Sequence, residues 1–172
     1  GLIQNCSANV DITFGCARLG LIAVQNNTNG KIIACKSTGT VKFNGTAIGF
    51  SGTPTIAGGI TSSNEGIIKQ CYSNVDFEIR SYVRQSSHVS GICGAFNTTN
   101  THAIIEECYF SGSIYLKRYE GGIQYVSGIA SYWQNSPNVI KNCFVDATLT
   151  VLNVESDNVG TMSSVGSTNF NS

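Results

Sequence analysis

Five copies of one thirteen-residue phrase limit what this chain can fold into more than any other feature. Residues 2–14, 31–43, 67–79, 104–116 and 139–151 read LIQNCSANVDITF, KIIACKSTGTVKF, IIKQCYSNVDFEI, IIEECYFSGSIYL and VIKNCFVDATLTV. Each copy is anchored on a cysteine (Cys6, Cys35, Cys71, Cys108, Cys143), and an isoleucine stands three residues before it every time (Ile3, Ile32, Ile68, Ile105, Ile140). The intervals between anchors are 29, 36, 37 and 35 residues, a period that signals stacked repeats. After the cysteine, apolar or small residues fall on alternate positions, as in Cys71, Ser73, Val75, Phe77 and Ile79, which predicts a strand with one buried face. The isoleucine lies an odd number of positions away, so both can face inward only if the backbone turns between them. A corner is therefore predicted at Asn5, Ala34, Gln70, Glu107 and Asn142.

A second, weaker phrase lies between the anchors: GLIAVQN at 20–26, GITSSN at 59–64, GICGAFN at 91–97 and GIASYWQN at 128–135. It predicts a further strand opened by a glycine, placed either for positive φ or for close backbone approach. Two or three strands per coil of about 35 residues give an all-β, right-handed parallel β-solenoid of about five coils. This domain spans 1–164, with a tail at 165–172. Residues 80–90 and 117–127 extend the third and fourth coils and are read as neighbouring loops on one edge. The chain opens inside a repeat without an initiator Met, so neighbouring domains, and any leader or anchor, are expected in a longer parent.

Composition excludes several functions. Ten basic residues balance ten acidic ones and only 12% of the chain is charged, so there is no field to hold a phosphate backbone and nucleic acid is not an expected partner. No apolar run reaches the roughly 20 residues that span a bilayer, and membrane contact by this segment is not expected. Five of the seven cysteines share the anchor position and none forms a C-x-x-C pair, which argues against tetrahedral zinc. They read as a column of free thiols without disulfides. Cys16 and Cys93 fall outside that column and are expected to be the exposed, reactive ones. No cofactor is expected.

His88 and His102 stand in polar surroundings without a recognisable nucleophile or acid beside them, so no catalytic set is assigned. Asp11 and Asp76, both five after an anchor with Thr40 between, lie two rungs or about 9.6 Å apart, at the edge of the spacing used by inverting glycosidases. They read as solvated outward residues. Two before the anchor stand Gln4, Ile33, Lys69, Glu106 and Lys141, whose alternating charges specify which coil stacks on which. One after the anchor, Tyr72, Tyr109 and Phe144 form an outward aromatic strip. With Arg80, Arg84, Lys117 and Arg118 from the extended coils as a basic rim, this strip is the candidate binding site. Asn-x-Ser/Thr sequons occur at Asn5, Asn26, Asn44 and Asn97.

The G-[IL]-x-x-x-x-N phrase followed by the isoleucine-cysteine-aromatic phrase, clearest over residues 59–77, 91–114 and 128–149, resembles the GLUG-type repeats of bacterial surface adhesins. Such repeats also occur in non-catalytic regions of immunoglobulin-A-cleaving metallopeptidases. The likeness runs along nearly the whole chain, although several coils lose the second glycine of the family's opening. It implies an extracellular or cell-surface module for adhesion or presentation, with a host or matrix glycan or protein as partner. It carries over no active-site residue, and no H-E-x-x-H is present. A self-assembling fibre segment and a carbohydrate-active β-helix enzyme are the alternative readings.

Overall fold

The computed structural model describes residues 1–15, 17–45, 55–81, 87–96, 103–118, 124–131, 138–153 and 161–163. Every regular element among them is a strand, and all the strand pairs are parallel. The chain is a parallel β-solenoid whose coils stack four sheets. The first sheet takes one short strand from each of five coils: Leu2–Gln4, Lys31–Ile33, Ile67–Lys69, Ile104–Glu106 and Val139–Lys141. The second holds the long strands Ser7–Phe14, Lys36–Gly45 and Tyr72–Ser81, then Tyr109–Phe110 with Ser113–Arg118 and Phe144–Val145 with Thr148–Asn153. The third stacks Arg18–Gly20, Thr55–Gly58, Ser87–Ser90, Gln124–Ser127 and Thr161–Ser163. The fourth stacks Ala23–Asn26, Thr61–Asn64 and Cys93–Ala95, with a bridge from Cys93 to Ala130.

The predicted corners are where the first sheet turns into the second. Asn5, Ala34, Gln70, Glu107 and Asn142 have φ between 52° and 56°, the left-handed region, which ordinarily costs an L-residue about 1–2 kcal/mol. Two contributions offset that cost. The turn brings Ile and Cys onto one inward face, and the corner amides bond to the next coil, as from Gln70 N to the Glu106 carbonyl at 3.1 Å and from Ala34 N to the Lys69 carbonyl at 3.0 Å. The Gln70 amide also donates to Glu107 Oε2 at 2.9 Å, a side-chain rung along the same edge. Just before the corner, Glu106 lies 2.6 Å from both Lys69 and Lys141, so the alternating charges meet across three coils. Those two ammoniums, Lys141 foremost, hold the Glu106 carboxyl below the usual carboxylate range.

Inside, identical positions stack on one another. Ile32, Ile68 and Ile105 form one buried column, Cys35, Cys71 and Cys108 a second, and Val41, Phe77 and Ile114 a third. Ala57, Val89 and Val126 of the third sheet close the core from the opposite side with Ile60, Ile92 and Ile129. A Cβ on Gly91 would strike the Phe110 ring and the Gly128 carbonyl, so this glycine serves close approach across the core. Positive φ is not its reason, since Gly39 at +113° is the one glycine with it among the described residues.

Several expectations need correction. The first three coils have four strands each where two or three were expected, because a further strand precedes the second phrase and the chain bends at the phrase's glycine to pass from the third sheet into the fourth. In the first coil it also slips by one: Gly20 pairs with Gly58, so Leu21 lies where the second coil has Gly59. The extensions at 80–90 and 117–127 are not simple loops. Arg80 continues the second sheet, and Ser87–Ser90 builds the third with both faces buried. The stretches between, 82–86 and 119–123, lie outside the described residues, as does the tail.

Candidate functional site

The outer face of the second sheet is where this fold displays side chains in long, flat columns. Strand geometry sends alternate residues outward, and the in-register pairing sets Lys36, Tyr72, Tyr109 and Phe144 one above the other. The Tyr72 and Tyr109 rings stack at 5.4 Å with 30° between planes, and Tyr109 meets Phe144 at 5.4 Å and 38°. The Lys36 ammonium lies 5.7 Å from the Tyr72 ring centroid, within cation–π range. The rings therefore give their faces to each other. What they offer outward is ring edges, phenol hydroxyls and Phe144, which is 63% exposed. The Tyr72 and Ser111 hydroxyls are hydrogen-bonded at 2.9 Å, which fixes the second coil-to-coil contact on this strip.

About 13 Å further along the same strands, at about 3.3 Å per residue, the polar columns form two shallow depressions. One, of about 450 Å³, is lined by Thr40, Asp76, Glu78, Arg80, Ser113 and Tyr115. The other, of about 380 Å³, is lined by Thr13, Lys42, Glu78 and Arg80 among others. Glu78 and Arg80 form the shared wall. The Arg80 guanidinium donates through Nε at 3.0 Å and through Nη2 at 2.8 Å to Glu78 Oε1. Arg80 and Lys117 are register partners, so these two members of the basic rim are brought together, with Arg80 already paired to an acid. Arg118 stands in the same strand as Lys117. Arg84 lies outside the described residues.

Asp11, Thr40 and Asp76 occupy one column, as the spacing requires. Asp76 Oδ1 accepts the Ser113 backbone N–H at 3.1 Å and its hydroxyl at 2.6 Å. It acts there as an acceptor that ties the third coil to the fourth. Glu78, Tyr115, Ser113 and Lys42 were not singled out in the sequence, although their odd offsets from the anchor cysteines put them on the face that carries Tyr72. Among the described residues no three His, Cys, Asp or Glu side chains converge as a metal-binding group would.

One expected reactive position and one expected placement are corrected. Cys93 is fully buried, at 0% exposure: it heads its own column in the fourth sheet between Thr61 and Ala130, and its thiol donates to the Ala95 carbonyl at 3.2 Å. Burial pushes that thiol far above its ordinary pKa, the opposite of an activated cysteine. The exposed free thiol among the described residues is Cys6, at the open edge of the first coil. His88 is not in a loop but in a third-sheet strand, 7% exposed and stacked on Tyr125 at 4.6 Å, and burial lowers its pKa to about 4. Cys16 and His102 lie outside the described residues. The sequon at Asn26 is closed as well: this side chain is 5% exposed and donates to Asn64 Oδ1 at 2.7 Å and to the Ile67 carbonyl at 3.2 Å.

Comparison with protein-family models, with curated proteins and with solved structures finds no match.

Proposed function

We propose that this chain is a non-enzymatic cell-surface or extracellular repeat module that binds a glycan or protein on the outer face of its second sheet. The observation that carries the reading is the run of three aromatic rings across three coils on a largely polar face, ending at an exposed Phe144. Beside it, the Glu78–Arg80 wall, Ser113 and Tyr115 supply fixed donors and acceptors in shallow relief, which suits an extended ligand better than an enclosed one. The resemblance to GLUG-type repeats supports the surface setting. The non-enzymatic part of the reading rests on the side chains available: Asp76 and Glu78, the acids that line the depression, are engaged with Ser113 and Arg80, and His88 is shut away in a strand.

The test is a glycan and matrix-protein binding screen with wild type and a Tyr72→Ala, Tyr109→Ala double variant whose circular dichroism is unchanged. Two lost ring contacts at about 1 kcal/mol each correspond to roughly 10–30-fold weaker binding. Equal binding by the variant removes the strip from the site. Turnover of any glycan sinks the non-enzymatic reading.

A second reading, end-on association of copies, is favoured by the apolar residues that the first and fifth coils leave exposed or partly exposed. Leu2 and Val139 are exposed, and Ile3, Ile12, Ile140 and Leu149 are only partly buried. Matching columns would bring Ile140 onto Ile3 and Leu149 onto Ile12, the same pairs that hold neighbouring coils together within the chain. Sedimentation across a hundredfold concentration range distinguishes this: a size independent of concentration rules it out.

A further inference from the structure

We propose that Cys108 and Cys143, consecutive members of the thiol column, form a two-coordinate site for a soft monovalent metal ion of the copper(I) class. The column is built with more order than packing alone requires. Each anchor thiol donates to the carbonyl two residues before it, the one that the left-handed corner leaves facing inward: Cys35 to Ile33 at 3.4 Å, Cys71 to Lys69 at 3.4 Å, Cys108 to Glu106 at 3.2 Å and Cys143 to Lys141 at 3.4 Å. Each also lies 3.6 to 3.9 Å from the isoleucine carbonyl of the preceding coil, as Cys71 does from Ile32 and Cys108 from Ile68. The sulfurs consequently follow one another at the rung repeat of about 4.8 Å.

That repeat decides between the chemistries open to a pair of thiols. A disulfide needs Cβ atoms about 3.5–4.5 Å apart and sulfurs about 2.05 Å apart, and in-register parallel strands hold the Cβ atoms wider than this. Two metal–thiolate bonds of about 2.3 Å placed end to end span about 4.6 Å. An ion between two rungs can therefore be held in line without moving the backbone. A tetrahedral ion has no third or fourth ligand, since no group of three metal-binding side chains converges among the described residues. Thiolate ligands select copper(I) over harder ions.

Access favours the Cys108–Cys143 end. Cys108 is buried while Cys143 is half-buried, so an ion can enter beside Cys143 and be covered by Cys108, whereas at the other end of the column the outer thiol, Cys6, is exposed and would leave an ion open to solvent. On binding, one monovalent ion replaces the protons of both thiols, which pass to solvent, and the metal keeps its oxidation state. Cys93 provides an internal control, because its rung neighbours are Thr61 and Ala130 and it has no thiol partner.

The experiment uses silver(I) as a redox-inert probe, titrated into the reduced protein with a monothiol competitor and followed by native mass spectrometry. Cys143→Ser keeps a donor for the Lys141 carbonyl and should lose one tightly held equivalent relative to wild type, whereas Cys93→Ser should lose none. Retention of that equivalent in Cys143→Ser, or its equal loss in Cys93→Ser, overturns the assignment. X-ray absorption on wild type with one equivalent of copper(I) needs no variant. Two sulfur neighbours in linear geometry are expected, and three or more sulfurs, or oxygen and nitrogen neighbours, refute the proposal.

Discussion

Truncating the same isoleucine at two heights in the stack separates what a rung gains from its neighbours. Ile105 is fully buried between Ile68 below and Ile140 above, whereas Ile3 has Ile32 on one side and is partly exposed on the other. Ile105→Ala removes three buried carbons, about 2.4 kcal/mol at about 0.8 kcal/mol each. The cavity left between two coils that cannot close on it brings the cost to about 3–4 kcal/mol. At Ile3 about half the transfer is lost and no enclosed cavity forms, so Ile3→Ala should cost about 1 kcal/mol. Urea unfolding followed by circular dichroism measures both, with an unchanged slope required for the comparison. Equal costs, or a cost at Ile105 below about 1 kcal/mol, would mean that the isoleucine column does not carry the stacking.

Three further outcomes follow from named contacts. The pKa of His88 is about 4 in the fold against 6.5 for the free side chain, so the unfolded chain takes up its proton first. Stability should accordingly fall by about 3 kcal/mol as pH drops from about 6.5 to 4, and His88→Gln should flatten that slope in pH-dependent urea melts. Cys71→Ala removes the thiol donor from the Lys69 carbonyl, which keeps the Ala34 N–H, and should cost about 0.5–1.5 kcal/mol, while Cys71→Ser should recover part of it; equal melting points for the two would refute the hydrogen-bonding role. Ala34 holds φ +52° without a side chain suited to it, so Ala34→Asn should gain roughly 0.5–1 kcal/mol in the same melts.

How much was legible in the sequence depended on whether a strand has one buried face or two. From Cys71 to Ile79 only alternate residues are buried, and the period of two could be read directly. The odd spacing from Ile68 to Cys71 then located the corner at Gln70, though not its left-handed φ. In Thr55–Gly58, Thr61–Asn64 and Ser87–Ser90 every residue is buried, so no alternation exists to read, and the third and fourth sheets were merged or taken for loops. The same cause misplaced Cys93: a cysteine outside the anchor column was taken to be outside the core, whereas it belongs to a column of Ala23, Thr61 and Ala130 that repeats no cysteine. On the outer face the aromatic column was visible because three rings repeat. Glu78, Ser113, Tyr115 and Lys42 were missed because an outward face has no packing reason to repeat its residues from coil to coil.

The central claim, that the outer face of the second sheet is a recognition surface, is tested most directly by affinity. Against a ligand from the screen, wild type is compared with Phe144→Ala and Tyr115→Ala on that face and with Lys31→Ala on the first sheet. The proposed surface predicts losses of several-fold or more for the first two and none for the third. Undiminished binding by Phe144→Ala and Tyr115→Ala, or no binding by wild type to any glycan or matrix protein presented, contradicts it.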